Sequence, residues 1–201
     1  MGHSTPAAAD SHNGDILDLE QRTWLARHLR GDANAFETLL KAYQRPIYSY
    51  LIRCGIAESA RDDLFQDIFL KIHAAAASYQ ASRPLKPWIF TITANTVRNY
   101  LRAQHSPQYK QVIALDEHVV DPPDPQPSLE TRFEHNSQLS RLEQAISALP
   151  LKQREVLLLS AVEGLPQKEV ALCLNIPLNS VKTYLRRARL NLVHAVRQRD
   201  A

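Results

Sequence analysis

Between Leu149 and Leu192 the chain reads LPLKQREVLLLSAVEGLPQKEVALCLNIPLNSVKTYLRRARLNL, three helical segments separated only by short breaks. Gln167 to Leu174 carries apolar Val170, Ala171, Cys173 and Leu174 on one side, then Asn175-Ile176-Pro177 interrupts, and a second helix opens near Leu178. A break that short predicts a helix-turn-helix. In the second helix Val181, Leu185, Ala188 and Leu192 fall at i, i+4, i+7 and i+11, which gathers them into one buried stripe. The opposite face carries Asn179, Ser180, Lys182, Thr183, Arg186, Arg187 and Arg189. Arg and Lys neutralise phosphates and address guanine edges, while Ser, Thr and Asn reach phosphates or bases in the major groove. From Leu178 to Arg199 there are six Lys or Arg and no Asp or Glu, so the face has one sign. A face that is merely solvated usually mixes signs, so this one fits a nucleic-acid surface better.

Of the 201 residues, 44% are hydrophobic, enough for one domain or two small ones with real cores. The net charge of +3 is unevenly placed: +2 through Gln104, −4 from His105 to Ser137, and +5 from there on. His105 to Ser137 also holds five of the 12 prolines, including DPPDPQP, and reads as a flexible acidic linker that cannot fold alone. Limited proteolysis is expected to cut there first and leave two resistant fragments. Residues 1–15 read as a disordered leader with neither the basic start nor the apolar core of a secretory signal. No apolar run approaches the ~20 residues of a membrane span. Cys54 and Cys173 lie in apolar-periodic surroundings and read as buried thiols of a reducing cytosol, and the eight His lack ligand spacing.

Upstream of the linker, apolar periodicity predicts a helix over 16–30, stopped and restarted by Gly31-Asp32, and a second over 35–53 that Pro46 should kink or divide. Gly55 ends it. A third helix begins near Ser59 or Ala60 with Leu64, Ile68 and Ile72 on one face and Asp62, Asp63, Gln66 and Asp67 facing elsewhere. The segment ASRPLKPW reads as a basic loop, exposing Arg83 and Lys86, because Pro84 and Pro87 oppose helix. A fourth helix over 88–104 interleaves Trp88 and Tyr100 with Asn95, Arg98, Asn99 and Arg102, types suited to stacking and hydrogen-bonding unpaired bases. Trp88 reads equally well as core. Beyond the linker, helices over 138–149, with Leu139, Leu142, Ile146 and Leu149 inward, and over 152–163, with Gly164 as its left-handed end, precede the helix-turn-helix.

These features together resemble a bacterial sigma factor of the extracytoplasmic-function (ECF) group of the sigma-70 family. Gly31-Asp32, Ala35-Phe36-Glu37 and Tyr43 resemble the opening of sigma region two, and Trp88-Ile89, Ile92 and Asn95 resemble its minus-ten segment. Asp62-Asp63-Leu64, Gln66-Asp67 and Phe69 match the helix that docks on RNA polymerase. Leu149-Pro150, Arg154-Glu155, Glu163-Gly164-Leu165, Glu169-Val170-Ala171 and Val181-Lys182 to Arg189 match region four, where Pro166 replaces the usual Ser or Thr cap and Asn175 the usual turn Gly.

The resemblance implies an all-α protein with region two over 16–104, a linker over 105–137 and region four over 138–199. It further implies polymerase contacts from Asp62, Asp63, Leu64, Gln66, Asp67 and Phe69. Minus-ten contacts would come from Arg83, Lys86, Trp88, Asn95, Arg98, Asn99 and Arg102, and minus-thirty-five contacts from the basic face of the last helix. Such a protein is a cytoplasmic, non-catalytic subunit without a cofactor, partnered by core RNA polymerase, promoter DNA and an anti-sigma factor. Two rivals are a stand-alone helix-turn-helix regulator and a metal-dependent nucleic-acid enzyme built on Asp62, Asp63 and Asp67.

Overall fold

The computed structural model describes residues 19–104 and 136–197; the expected leader, and the expected linker up to residue 135, lie outside them. Every described element is helical. Helix α1 spans 19–29, α2 Ala33–Arg53, α3 Glu58–Ala75 and α4 Leu85–Gln104. Beyond the undescribed stretch come α5 (Asn136–Ser147), α6 (Leu151–Leu157, continued by a π-turn over Leu158–Val162), α7 (Gln167–Leu174) and α8 (Leu178–Arg197).

The punctuation follows local chemistry. Gly31, at φ +92°, takes the left-handed turn that ends α1, and Asp32 then caps α2 by accepting from the amide of Ala35 at 3.3 Å. Gly55 (φ +80°) and Gly164 (φ +71°) close their helices in the same way. Asn175 stands at φ 52°, a position its short amide tolerates, and so makes the turn between α7 and α8. Pro166 caps α7 without a side-chain acceptor. At the end of α5 the guanidinium of Arg154, itself buried, donates to the carbonyls of Ser147 and Leu149, satisfying acceptors the helix cannot pair itself.

α2 runs through Pro46, so of the two outcomes expected there division is excluded. Pro87 is not in a loop but in the first turn of α4, where an N–H would have no helical partner, so its absence costs nothing. The helix therefore begins at Leu85 and takes Lys86 with it.

Leu39, Ile47 and Leu51 of α2, Ile68 and Ile72 of α3, and Ile89, Phe90 and Val97 of α4 form the first half of the core. The second half joins Val156, Leu158 and Leu159 to Val170, Val181, Leu185 and Ala188, so three members of the predicted α8 stripe are buried, with Leu192 half-buried against them. Truncating one of these, Leu158→Ala for example, would cost ~2–5 kcal/mol. Leu142 was expected inward yet is 43% exposed. Tyr50, which periodicity did not single out, is fully buried, its ring edge-on to Phe90 with centroids 5.8 Å apart.

The two halves also touch. α4 packs on α7, and α2 meets α5, where Arg53 approaches Glu143 at 3.8 Å.

Candidate functional site

Helix α8 presents Asn179, Lys182, Thr183, Arg186, Arg187 and Arg189 exposed, with Ser180 half-buried, on the face opposite Val181, Leu185 and Ala188. Thr183 is turned back on its own helix, its hydroxyl donating to the carbonyl of Asn179 at 2.9 Å. Lys182, Arg186 and Arg189 stand at i, i+4 and i+7 and line one shallow groove with Gln167 at the start of α7. Gln167 and the exposed Lys168 beside it escaped the sequence reading. Their signal was position: the first turn of a helix offers free amides to a phosphate.

The acidic residues of α3 divide by environment. Asp62 accepts from the hydroxyl of Tyr48, and Asp67 pairs with Lys71 one turn on at 2.6 Å. Asp63 and Gln66 are exposed and make no side-chain hydrogen bond or ion pair among the described residues. Leu70, one further turn along, is 67% exposed and was not singled out from the sequence. Leu64 and Phe69, named with the acidic residues as polymerase contacts, are buried at 6% and 5% exposure and pack beneath that face. Among the described residues no group of three or more His, Cys, Asp or Glu side chains is arranged to hold a metal ion.

Between α3 and α4 lies a cleft of about 440 Å³ lined by Lys71, Ala74, Ala75, Ile92, Asn95, Thr96 and Asn99. It offers a cation, amides and an apolar floor, the mixture a single extruded base needs. Of its polar lining only Asn95 and Asn99 were expected; Lys71 and Thr96 come from a pairing of helices that periodicity does not report. Trp88 is half-buried at one side of α4, its ring 5.2 Å from that of Tyr79, whose hydroxyl donates to the carbonyl of Arg83 at 2.6 Å. The backbone of the basic loop is thus pinned while the Arg83 side chain is exposed, as is that of Arg102.

Lys86 and Arg98, both expected to face DNA, are instead spent on the second half of the molecule. Lys86 donates to the backbone carbonyl of Glu163 at 2.6 Å and pairs with its carboxylate at 3.1 Å. Arg98 donates to the carbonyl of Leu174 at 3.3 Å, at the open C-terminal end of α7, and lies 3.3 Å from the Glu155 carboxylate. The latter is a charge contact without hydrogen-bond alignment, which leaves one buried oxygen of Glu155 without a donor. Loss of hydration raises the Glu155 carboxyl to about 7, against the pull of Arg98 from α4 and of Lys152 and Arg154 from α6; Tyr50 faces it from α2 and Cys54 from just past that helix's end.

That shift has a pH consequence. A carboxyl raised on folding favours the folded state most below its ordinary value of 4.5, and the benefit is lost as pH rises through about 7. Thermal melts are therefore expected to fall between pH 5.5 and 8. In Glu155→Gln that slope should disappear, and an unchanged slope would assign the effect to other groups.

The family model described as Sigma-70 region 2 matches residues 39–106, and that described as Sigma-70, region 4 matches 139–192. The chain is similar to the RNA polymerase sigma factor NccH of Alcaligenes xylosoxydans xylosoxydans, 27% identical over 83% of this chain and 89% of that one. It is also similar to the ECF RNA polymerase sigma-E factor of Haemophilus influenzae, 27% identical over 85% of this chain and 92% of that one. Its fold matches that of CnrH, solved in complex with the cytosolic domain of CnrY, with a TM-score of 0.65 at 24% identity over 90% of this chain and 99% of that one. With both region models falling on the halves that carry these surfaces, the chain belongs to the sigma-70 family of RNA polymerase sigma factors, in its extracytoplasmic-function group.

Proposed function

We propose that this sigma factor divides its work among three surfaces of different chemistry. The exposed acidic and apolar face of α3, Asp63, Gln66 and Leu70, docks on a basic helical surface of core polymerase. Trp88, Asn95, Asn99 and Arg102, with Arg83 and the cleft residues Lys71 and Thr96, hold the unpaired minus-ten strand. The basic face of α8 reads the minus-thirty-five duplex. The observation that carries this reading is their separation: an acidic face, a cleft for one base and a one-signed helix face lie on three distinct parts of the molecule.

In this reading residues 16–104 and 138–199 act as the two working domains, and residues 105–137 join them. The protein acts as a non-catalytic, cytoplasmic subunit that answers a stress or signal. Among the described residues no helix is long and apolar enough to cross a membrane. Since CnrH was solved with the cytosolic domain of CnrY bound, a regulatory protein of the anti-sigma kind is the expected inhibitor.

Trp88 tests the strand-holding assignment. Stacking one base on an aromatic is worth ~1–3 kcal/mol, enough to hold a nucleotide out of the duplex. Trp88→Ala is therefore expected to lower initiation on duplex promoters ~5- to 150-fold and far less on templates already mismatched at the minus-ten element. Equal loss on both templates together with a lowered melting temperature would reduce Trp88 to a packing partner of Tyr79.

A further inference from the structure

We propose that His28 of α1 and His73 of α3 form a two-point binding site for a divalent transition-metal ion of right-angled coordination, Cu(II) or Ni(II), and that the bound ion ties the end of α1 to the end of α3.

The two imidazoles stand 45 positions apart in the chain, so no sequence spacing pairs them, yet Nε2 of His28 and Nδ1 of His73 lie 2.9 Å from each other. Both rings rest on one wall. Phe36 of α2 lies 4.6 Å from the His28 ring and 5.5 Å from the His73 ring, centroid to centroid, and stands edge-on against Phe69 at 6.2 Å. His28 is half-buried and His73 exposed, so the pair is supported on the protein side and open to water on the other. Imidazole nitrogen suits late first-row metals. Two neutral rings at this distance share one proton, which one ring donates and the other accepts. A metal ion replaces that proton, which passes through water to the outer nitrogen of the same ring, so that both rings offer a lone pair.

The separation selects the metal. Bonds of ~2.0–2.1 Å to imidazole nitrogen hold two neighbouring nitrogens ~2.9 Å apart at a right angle and ~3.3 Å apart at the tetrahedral angle. The observed 2.9 Å fits the first, the geometry of Cu(II) and Ni(II), rather than that of Zn(II). With ring centroids 5.0 Å apart the nitrogens aim more at each other than at a common point, so binding turns both rings outward. That turn costs little, because the terminal torsion of His is broad and solvent lies on that side. Among the described residues no third His, Cys, Asp or Glu joins the pair, so water fills the other positions and the ion exchanges. The helix that benefits is α1. Its span of 19–29 is too short to persist as a helix alone, and buried Trp24 and Leu25 hold it on the core. An ion bound only while α1 is docked suppresses its local opening.

The test uses the full-length chain with Ala at the other six of its eight His, titrated with Cu(II), Ni(II) and Zn(II) in turn. Cys54 and Cys173 are buried, which keeps their thiols from competing. The paramagnetic resonance spectrum of the Cu(II) form should show two imidazole nitrogens, and affinity should fall in the order Cu(II), Ni(II), Zn(II). His28→Ala and His73→Ala should each weaken Cu(II) binding at least ~10-fold, and the double variant little more than either, since losing one arm already removes the chelate. At an ion concentration ~100-fold above Kd, amide exchange over residues 19–29 should slow at least ~10-fold, and not in His73→Ala. His73 is exposed, so its removal should leave the melting temperature of the ion-free chain unchanged, and His28→Gln repeats the reading with the half-buried position filled. One bound nitrogen or none, Zn(II) held as tightly as Ni(II), unchanged affinity in the single variants, or unchanged exchange over 19–29 would each overturn the site.

Discussion

Asp63→Ala combined with Gln66→Ala is expected to abolish co-purification with core polymerase while leaving the melting temperature and the binding of minus-thirty-five duplex unchanged. Both side chains are exposed and carry no internal partner among the described residues, so their removal opens no cavity and strands no buried group. The neighbouring Asp62 and Asp67 differ, since each also serves a contact inside the fold, with Tyr48 and Lys71. Charged contacts at such a face steer association and set register, and the exposed Leu70 supplies apolar area beside them. Loss of two central contacts at ~2 kcal/mol or more each would weaken binding ~1000-fold. If the double variant still binds core and initiates normally, α3 is not the docking helix.

The second large effect falls on α8. Arg186→Ala and Lys182→Ala are each expected to weaken minus-thirty-five binding, because both line the same groove as Arg189 and Gln167. A bidentate contact from Arg186 to guanine would cost ~1–3 kcal/mol, ~5- to 150-fold, and relax preference at one base pair. A phosphate contact would instead weaken all sequences alike and lower the salt slope by ~1. Binding isotherms on promoter variants at several salt concentrations separate the two. Unchanged affinity after both substitutions would remove α8 from the recognition scheme.

Where a signal is local, the chain is legible. The stripe of α8, the cap at Asp32, the left-handed ends at Gly31, Gly164 and Asn175 and the burial of Cys54 and Cys173 all follow from residue type and short spacing. What periodicity cannot report is which helix face meets an element far along the chain. Lys86 and Arg98 look like free cations in the sequence, and only the packing of α4 on α7 gives them Glu163 and Glu155 as partners. The same blindness hid Lys71 and Thr96 from the cleft. Thr93, a polar residue, is buried, and its hydroxyl bonds back to the carbonyl of Ile89 at 3.0 Å, which satisfies it inside the helix. Pro87 misled through a rule that holds in helix interiors and lapses in the first turn.

The central claim is that this chain itself confers promoter recognition on core polymerase, and it is tested most directly by in vitro transcription with purified core enzyme and genomic promoter fragments. The account predicts discrete transcripts when core and the wild-type chain are combined, and none from core alone. Transcripts that appear only when another sigma factor is added, or that core makes equally well without the chain, would contradict it.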